Sequence, residues 1–151
     1  MIFLTVSVLA LSFPGCGKKE NTSDRTLRVG IVTYTQDDPF INTMTEQIRE
    51  DLKLKESKDM KILVSVKNGD NDQRDQDELV EEMIAAGCDV LCVNLVDRTA
   101  PSDIIKAARQ EKIPVIFFNR EPVKEDLMQW DQLYYVGCDA KQSGEMQGEI
   151  A

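Results

Sequence analysis

The sequence predicts an α/β fold built on an open parallel sheet. From residue 26 onward, short β-rich runs alternate with segments of helical period, the order that βαβ units produce. Most of the short runs are apolar throughout rather than alternating, as strands buried on both faces are. The first four runs recur roughly 30 residues apart, the length a right-handed βαβ crossover needs.

In chain order, the strand runs are 27–34 (LRVGIVTY), 61–66 (KILVSV), 90–95 (VLCVNL), 114–118 (PVIFF) and 133–137 (LYYVG). Between the first two, Ile41, Met44, Ile48 and Leu52 form one helical stripe. Leu79, Val80, Met83 and Ile84 form a second, closed by Gly87 just past its end and opened by Asp72 as a candidate cap. Pro101 opens a third helix that carries Ile104, Ile105 and Ala108. Residues 119–132 (NREPVKEDLMQWDQ) break the pattern, being charged and without an apolar stripe. A domain crossing is expected there.

Residues 1–13 form an uncharged apolar run too short to span a bilayer but long enough for the core of a secretory signal. We read 1–15 as a signal peptide and 16–26 as a flexible tether. The short segment ending in Gly15-Cys16 resembles the lipobox of bacterial lipoproteins, which makes Cys16 a candidate lipidation site. Simple cleavage and a fortuitous apolar start are the competing readings. The Asn21-Thr22-Ser23 sequon is read as chance. Cys88 and Cys92 lie about 13 Å apart along an extended run, too far for a disulfide, and are expected to be buried free thiols. No second pair of ligands accompanies them to make a metal site.

The chain has 151 residues, 18 Lys and Arg against 27 Asp and Glu, a net charge of −9 and no histidine. Nucleic acid and anionic membrane surfaces are poor partners for such a charge. Catalytic dyads with histidine and imidazole metal ligands are excluded. In an open α/β sheet, ligands bind beyond the carboxyl ends of the strands. Those ends carry Gln36-Asp37-Asp38-Pro39-Phe40, Asn68-Gly69-Asp70-Asn71-Asp72, Asn94 to Asp97, and Asn119-Arg120-Glu121. Asp and Asn are ordinary turn and cap residues, so one such end means little. Four together point to an uncharged, hydroxyl-rich ligand. A phosphate would want glycine-rich backbone and positive charge.

The segments VTYTQDDPF, NGDNDQRDQDELVEEMIAAGCDVLCVNLVD, IPVIFFNREP and LYYVGCDAKQSGEMQGEIA resemble, in order, the periplasmic galactose/glucose-binding proteins of bacterial ABC transporters. The resemblance implies a sheet of order 2-1-3-4 in a first, N-terminal lobe at 27–119. It further implies an interlobe crossing and the start of a second lobe at 120–151. It makes Asp38 and Asn94 hydrogen-bonding sugar ligands and Phe40 the aromatic against the sugar ring, with a mere helix cap as the alternative reading of Asp38. Asn119 and Arg120 become hinge residues. The implied partners are a hexose such as galactose or glucose, ABC permease subunits, and a possible separate chain carrying the second lobe. No enzymatic activity, metal or cofactor is expected of this stretch; the family's calcium loop belongs to the second lobe. The chain alone is expected to be marginally stable, with residues 115–118 exposed where the first helix leaves one sheet face undercovered. A cooperative melt of monomeric 16–151 would refute that.

Two other classes share the architecture. A phosphoacceptor receiver domain also places paired acids after its first strand, but it needs an Asp where this chain has Asn94. The sensor lobe of a sugar-responsive repressor would need a basic helix-turn-helix before residue 27, where an apolar run and a short polar stretch stand instead. A hydrolase built on Asp37 and Asp38 lacks any companion nucleophile.

Overall fold

The structure, a computed structural model, describes residues 25–150, so the signal and Cys16 readings, and the tether up to residue 24, lie outside the described residues; Arg25 and Thr26, read as the end of the tether, instead open the first strand. Five strands alternate with five helices: β1 (Arg25–Thr33), α1 (Pro39–Leu54), β2 (Met60–Asn68), α2 (Gln73–Ala85), β3 (Val90–Val93), α3 (Ser102–Glu111), β4 (Val115–Phe118), α4 (Lys124–Leu127), β5 (Leu133–Val136) and α5 (Ala140–Ile150). The strands form one sheet of order β2-β1-β3-β4-β5, and every pairing is parallel.

The expected order 2-1-3-4 is therefore present, but β5 corrects the expected domain crossing. Leu133 to Val136 pair in register with Val115 to Phe118, so LYYV is the fifth strand of the same sheet and not the threshold of another lobe. The misreading has a physical cause. The β4–β5 connection carries only the one-turn helix α4, and it covers its end of the sheet with two side chains, Leu127 and Trp130, rather than a stripe.

Alternation along β1 divides the core. Val29 and Ile31 face α1, joined by Cys92 and Phe118, with Met44, Ile48 and Leu52 packed against them. Val32 faces the other side, where α2 and α3 meet Leu91, Val93, Val115 and Phe117. Gly30 leaves room for close packing on this face, since a Cβ there would stand 3.0 Å from Leu91, 3.1 Å from the Cys88 sulfur and 3.3 Å from the Met83 sulfur of α2. The predicted caps hold. The Asp72 carboxylate accepts from the backbone N–H groups of Arg74 and Asp75, and Gly87 takes the left-handed conformation beyond α2. Cys88 and Cys92 are buried and free.

Among the described residues, α2 and α3 lie on one face and α1 alone covers the other. A groove of about 510 Å³ remains there, lined by Phe40, Met44, Val90, Ile116 and Val136 among others. The expectation of exposed residues 115–118 is nevertheless wrong. Val115 and Phe117 are fully enclosed by the α2–α3 side, Phe118 is buried, and only Ile116 is partly open. The exposed apolar side chains of this region are Phe40, Tyr134 and Val136.

Candidate functional site

The carboxyl ends of β1, β3 and β4 converge on one polar edge. Tyr34 follows β1, and its hydroxyl donates to Oδ2 of Asp38 at 2.7 Å. Asp38 Oδ1 accepts from the N–H groups of Phe40 at 2.8 Å and Ile41 at 3.4 Å, which makes Asp38 the N-cap of α1. These bonds hold its carboxyl below the usual range; the Tyr34 hydroxyl is the largest cause, and the Arg120 charge acts in the same direction. The same bond to Asp38 raises the Tyr34 hydroxyl. The cap uses Oδ1, while Oδ2 takes the Tyr34 hydroxyl.

Phe40 is 59% exposed and borders the groove, next to Asn119, Gly137 and Cys138. Pro39, at the first turn of α1, precedes it.

Asn94 lies deeper than the sequence suggests. It is fully buried, and its Nδ2 donates to the Phe118 carbonyl at 3.1 Å and to Asn119 Oδ1 at 3.2 Å. Its own Oδ1 has no partner among the described residues. Asn119, in the left-handed conformation at φ 62, is the exposed lid over this amide. Asn tolerates that conformation better than most residues.

Asn119 and Arg120 are not a crossing point, because the chain continues from them through α4 into β5 of the same sheet. Arg120 instead braces the edge. Its Nη1 donates to the carbonyls of Leu95 at 3.2 Å and Val96 at 2.8 Å, and its guanidinium lies 3.7 Å over the Tyr34 ring, a cation–π arrangement. The chain leaves the sheet only after Val136. A Cβ at Gly137 would displace the Tyr135 hydroxyl, whose single proton is shared between the Asn119 carbonyl at 3.1 Å and the Cys138 carbonyl at 3.4 Å. Beyond it, the residues of α5 with a described side chain all stand exposed.

Two structural contributors escaped the sequence reading. Tyr34 closed a strand with no sign of its bond to Asp38. Gln76 sat unnoticed in a polar helix start, yet it is fully buried. Its Nε2 donates to the Asn94 carbonyl and its Oε1 accepts from the Val96 N–H, both at 2.9 Å. The spacing Gln73–Gln76–Val80–Met83 places it on the buried face of α2, a signal that polarity concealed.

A doubly wound parallel sheet with a polar crevice beyond the carboxyl ends of its strands defines a ligand-binding lobe of the open α/β class. Comparison with known proteins makes this specific. The chain belongs to the periplasmic binding protein domain family, which matches residues 29–151. It is 35% identical over 123 residues to the D-galactose/methyl-galactoside binding periplasmic protein MglB of Haemophilus influenzae, covering 82% of this chain and 36% of that protein. Among solved structures, it resembles an ABC transporter solute binding protein from Clostridium phytofermentans with bound β-D-glucose. There the identity is 25% and the TM-score 0.68, covering 82% of this chain and 35% of that one. A carbohydrate transporter solute binding protein from Chloroflexus aurantiacus in complex with D-glucose matches at 28% identity and TM-score 0.65, covering 83% and 34%. The chain spans little more than a third of the length of these proteins. Their names describe solute binding rather than catalysis.

Proposed function

We propose that this chain supplies the first wall of a hexose-binding site in a receptor for ABC import, with galactose or glucose as the sugar. The observation that carries this reading is the Asp38–Phe40 pair at the start of α1. A half-buried carboxylate, fixed by its cap bonds, stands two residues from an exposed aromatic ring. A hexose offers hydroxyl donors on its rim and C–H groups on its faces, so a carboxylate and a ring together suit it. Galactose and glucose, the sugars of the relatives named above, belong to the same class.

In this reading Asn94 meets the sugar only when the Asn119 carboxamide swings aside, which would give its unpartnered Oδ1 a donor. The second wall comes from a lobe beyond the sheet, reached through residues 137–139 rather than 119–120. Closure of the two walls on the sugar is a hinge-type population shift that a permease can recognise. Residues 1–15 and Cys16 would deliver and anchor the receptor on the periplasmic side.

The test is titration of the isotope-labelled chain with D-glucose, D-galactose and D-ribose, followed by amide NMR. One wall binds weakly, so the expected result is saturable shifts at Asp38, Phe40 and Asn119 at high sugar concentration, absent in Asp38→Asn and weakened in Phe40→Ala. Shifts scattered over the surface, or none at this edge, refute the reading.

A further inference from the structure

An ionised carboxylate has two oxygens and about four acceptor positions. At Asp38 the backbone N–H groups of Phe40 and Ile41 use both positions of Oδ1, and the Tyr34 hydroxyl uses one on Oδ2. A single position remains. Tyr34 cannot easily drift from its place, because its ring lies under the Arg120 guanidinium. That guanidinium is in turn tied to the carbonyls of Leu95 and Val96, immediately beyond β3. A line of contacts therefore runs from the end of β3 through Arg120 and Tyr34 to the one open lone pair on Asp38.

We propose that Tyr34 and Arg120 are positioning residues that preset Asp38 to accept one ligand hydroxyl in one direction. The proposal rests on the sugar-binding reading and adds how the site selects within that class. A carboxylate with both Oδ2 positions open and free to turn would accept hydroxyls from several directions, or water in their place. With Tyr34 holding one position and the cap holding Oδ1, only a hydroxyl approaching along the remaining lone pair is accepted. Epimers that move that hydroxyl, and deoxy sugars that lack it, leave the position unfilled. Preorganisation of this kind lowers the ordering cost of binding.

The ionisable groups that act on Asp38 are Tyr34 after β1 and Arg120 after β4, and the chain has no histidine. Removing the Tyr34 hydroxyl takes away the largest influence that holds the Asp38 carboxyl low, so its titration midpoint should move up.

The experiment uses the 151-residue chain and three variants, Tyr34→Phe, Arg120→Gln and Arg120→Lys, each confirmed as folded by its amide spectrum. The first arm follows the Asp38 carboxyl carbon by NMR against pH, with no sugar present. The second titrates D-glucose and D-galactose. Tyr34→Phe should raise the Asp38 midpoint and weaken the preferred sugar about tenfold while narrowing the preference between the two epimers. Arg120→Lys keeps the charge but loses the planar stack, so it should follow Arg120→Gln in epimer preference. An unchanged midpoint together with unchanged sugar preference in Tyr34→Phe overturns the proposal. A lysine variant that behaves as the parent overturns the part assigned to Arg120. If the parent chain binds neither sugar, the hexose reading fails for this chain, and the midpoint arm still decides whether Tyr34 presets Asp38.

Discussion

Gln76 offers the sharpest test of how the fold builds the crevice edge. Methionine has nearly its shape but can neither donate nor accept these bonds, so Gln76→Met removes two hydrogen bonds with little change in packing. The Asn94 residue is fully buried, so its carbonyl loses the Nε2 donor with no water to replace it. Leaving such a group unpaired costs about 1–3 kcal/mol. The Val96 N–H belongs to a half-buried residue and can regain part of its bond from solvent, so its cost falls at the low end of that range. Together the loss is about 2–4 kcal/mol, a large fraction of the stability of an ordinary domain. Urea unfolding, run in trimethylamine oxide to keep the variant folded at the start, should show a lower midpoint with an unchanged slope. Hydrogen exchange should show the Val96 amide opening well before the core strands. Gln47→Met is the control, because Gln47 bonds Asp51 on the exposed face of α1, and its change should stay within about 0.5 kcal/mol. If Gln76→Met falls within that same margin, or if Val96 exchanges no faster than in the parent, Gln76 does not hold this edge.

Three further outcomes follow from burial and charge. With an alkylating reagent near neutral pH, Cys138, which is exposed, should label first among Cys88, Cys92 and Cys138; Cys92, pushed by burial up to about 11, should label only on unfolding, as peptide mass mapping would show. Asp77 is held above the usual carboxylate range, first by burial, so its ionised form opposes folding. Asp77→Asn should therefore raise the thermal midpoint at neutral pH, and the gain should vanish as pH falls below the unfolded carboxylate value of about 4; a gain that persists in acid would contradict this. Ending the chain after Asp139 removes α5, whose described side chains are exposed, and calorimetry should find the midpoint nearly unchanged; a large drop would mean that α5 packs on the lobe.

The parts of the fold that could be read from the sequence are those governed by period. Apolar runs and the stripes of α1, α2 and α3 gave five strands, three helices and their order, because burying those faces admits few topologies. Residues 119–132 resisted because a short connection needs only local anchors. Leu127 and Trp130 serve that purpose without any repeat to detect. The expected exposure of 115–118 failed for a related reason: β4 is apolar on both faces, and composition does not say which face has a helix over it. Val115 and Phe117 turned toward α2 and α3, leaving Ile116 and Phe118 on the side of the groove, with Ile116 partly open.

The candidate site was legible only where chemistry is carried by one residue. Asp38 and Phe40 could be placed by the strand-end rule, and the structure puts both at the edge. Pairwise features were invisible, since Tyr34 to Asp38, Arg120 to Tyr34 and Gln76 to Asn94 join residues brought together by the sheet. Those pairs hold the edge together and, in the proposed sugar-binding reading, also set the direction of its open acceptor. The groups that would otherwise be loose helix and strand ends satisfy one another: α1 is capped by Asp38, the turn after β3 is gripped by Gln76 and Arg120, and the turn after β4 is closed over Asn94 by Asn119. Each bond that completes the lobe also removes a degree of freedom from a group facing the crevice. The few polar positions left unfilled, the last lone pair of Asp38 and the Oδ1 of Asn94, are therefore fixed in direction before a ligand arrives. On the proposed reading, such a site gains its precision from the fold, and weakening any one cap should loosen sugar recognition before it unfolds the sheet.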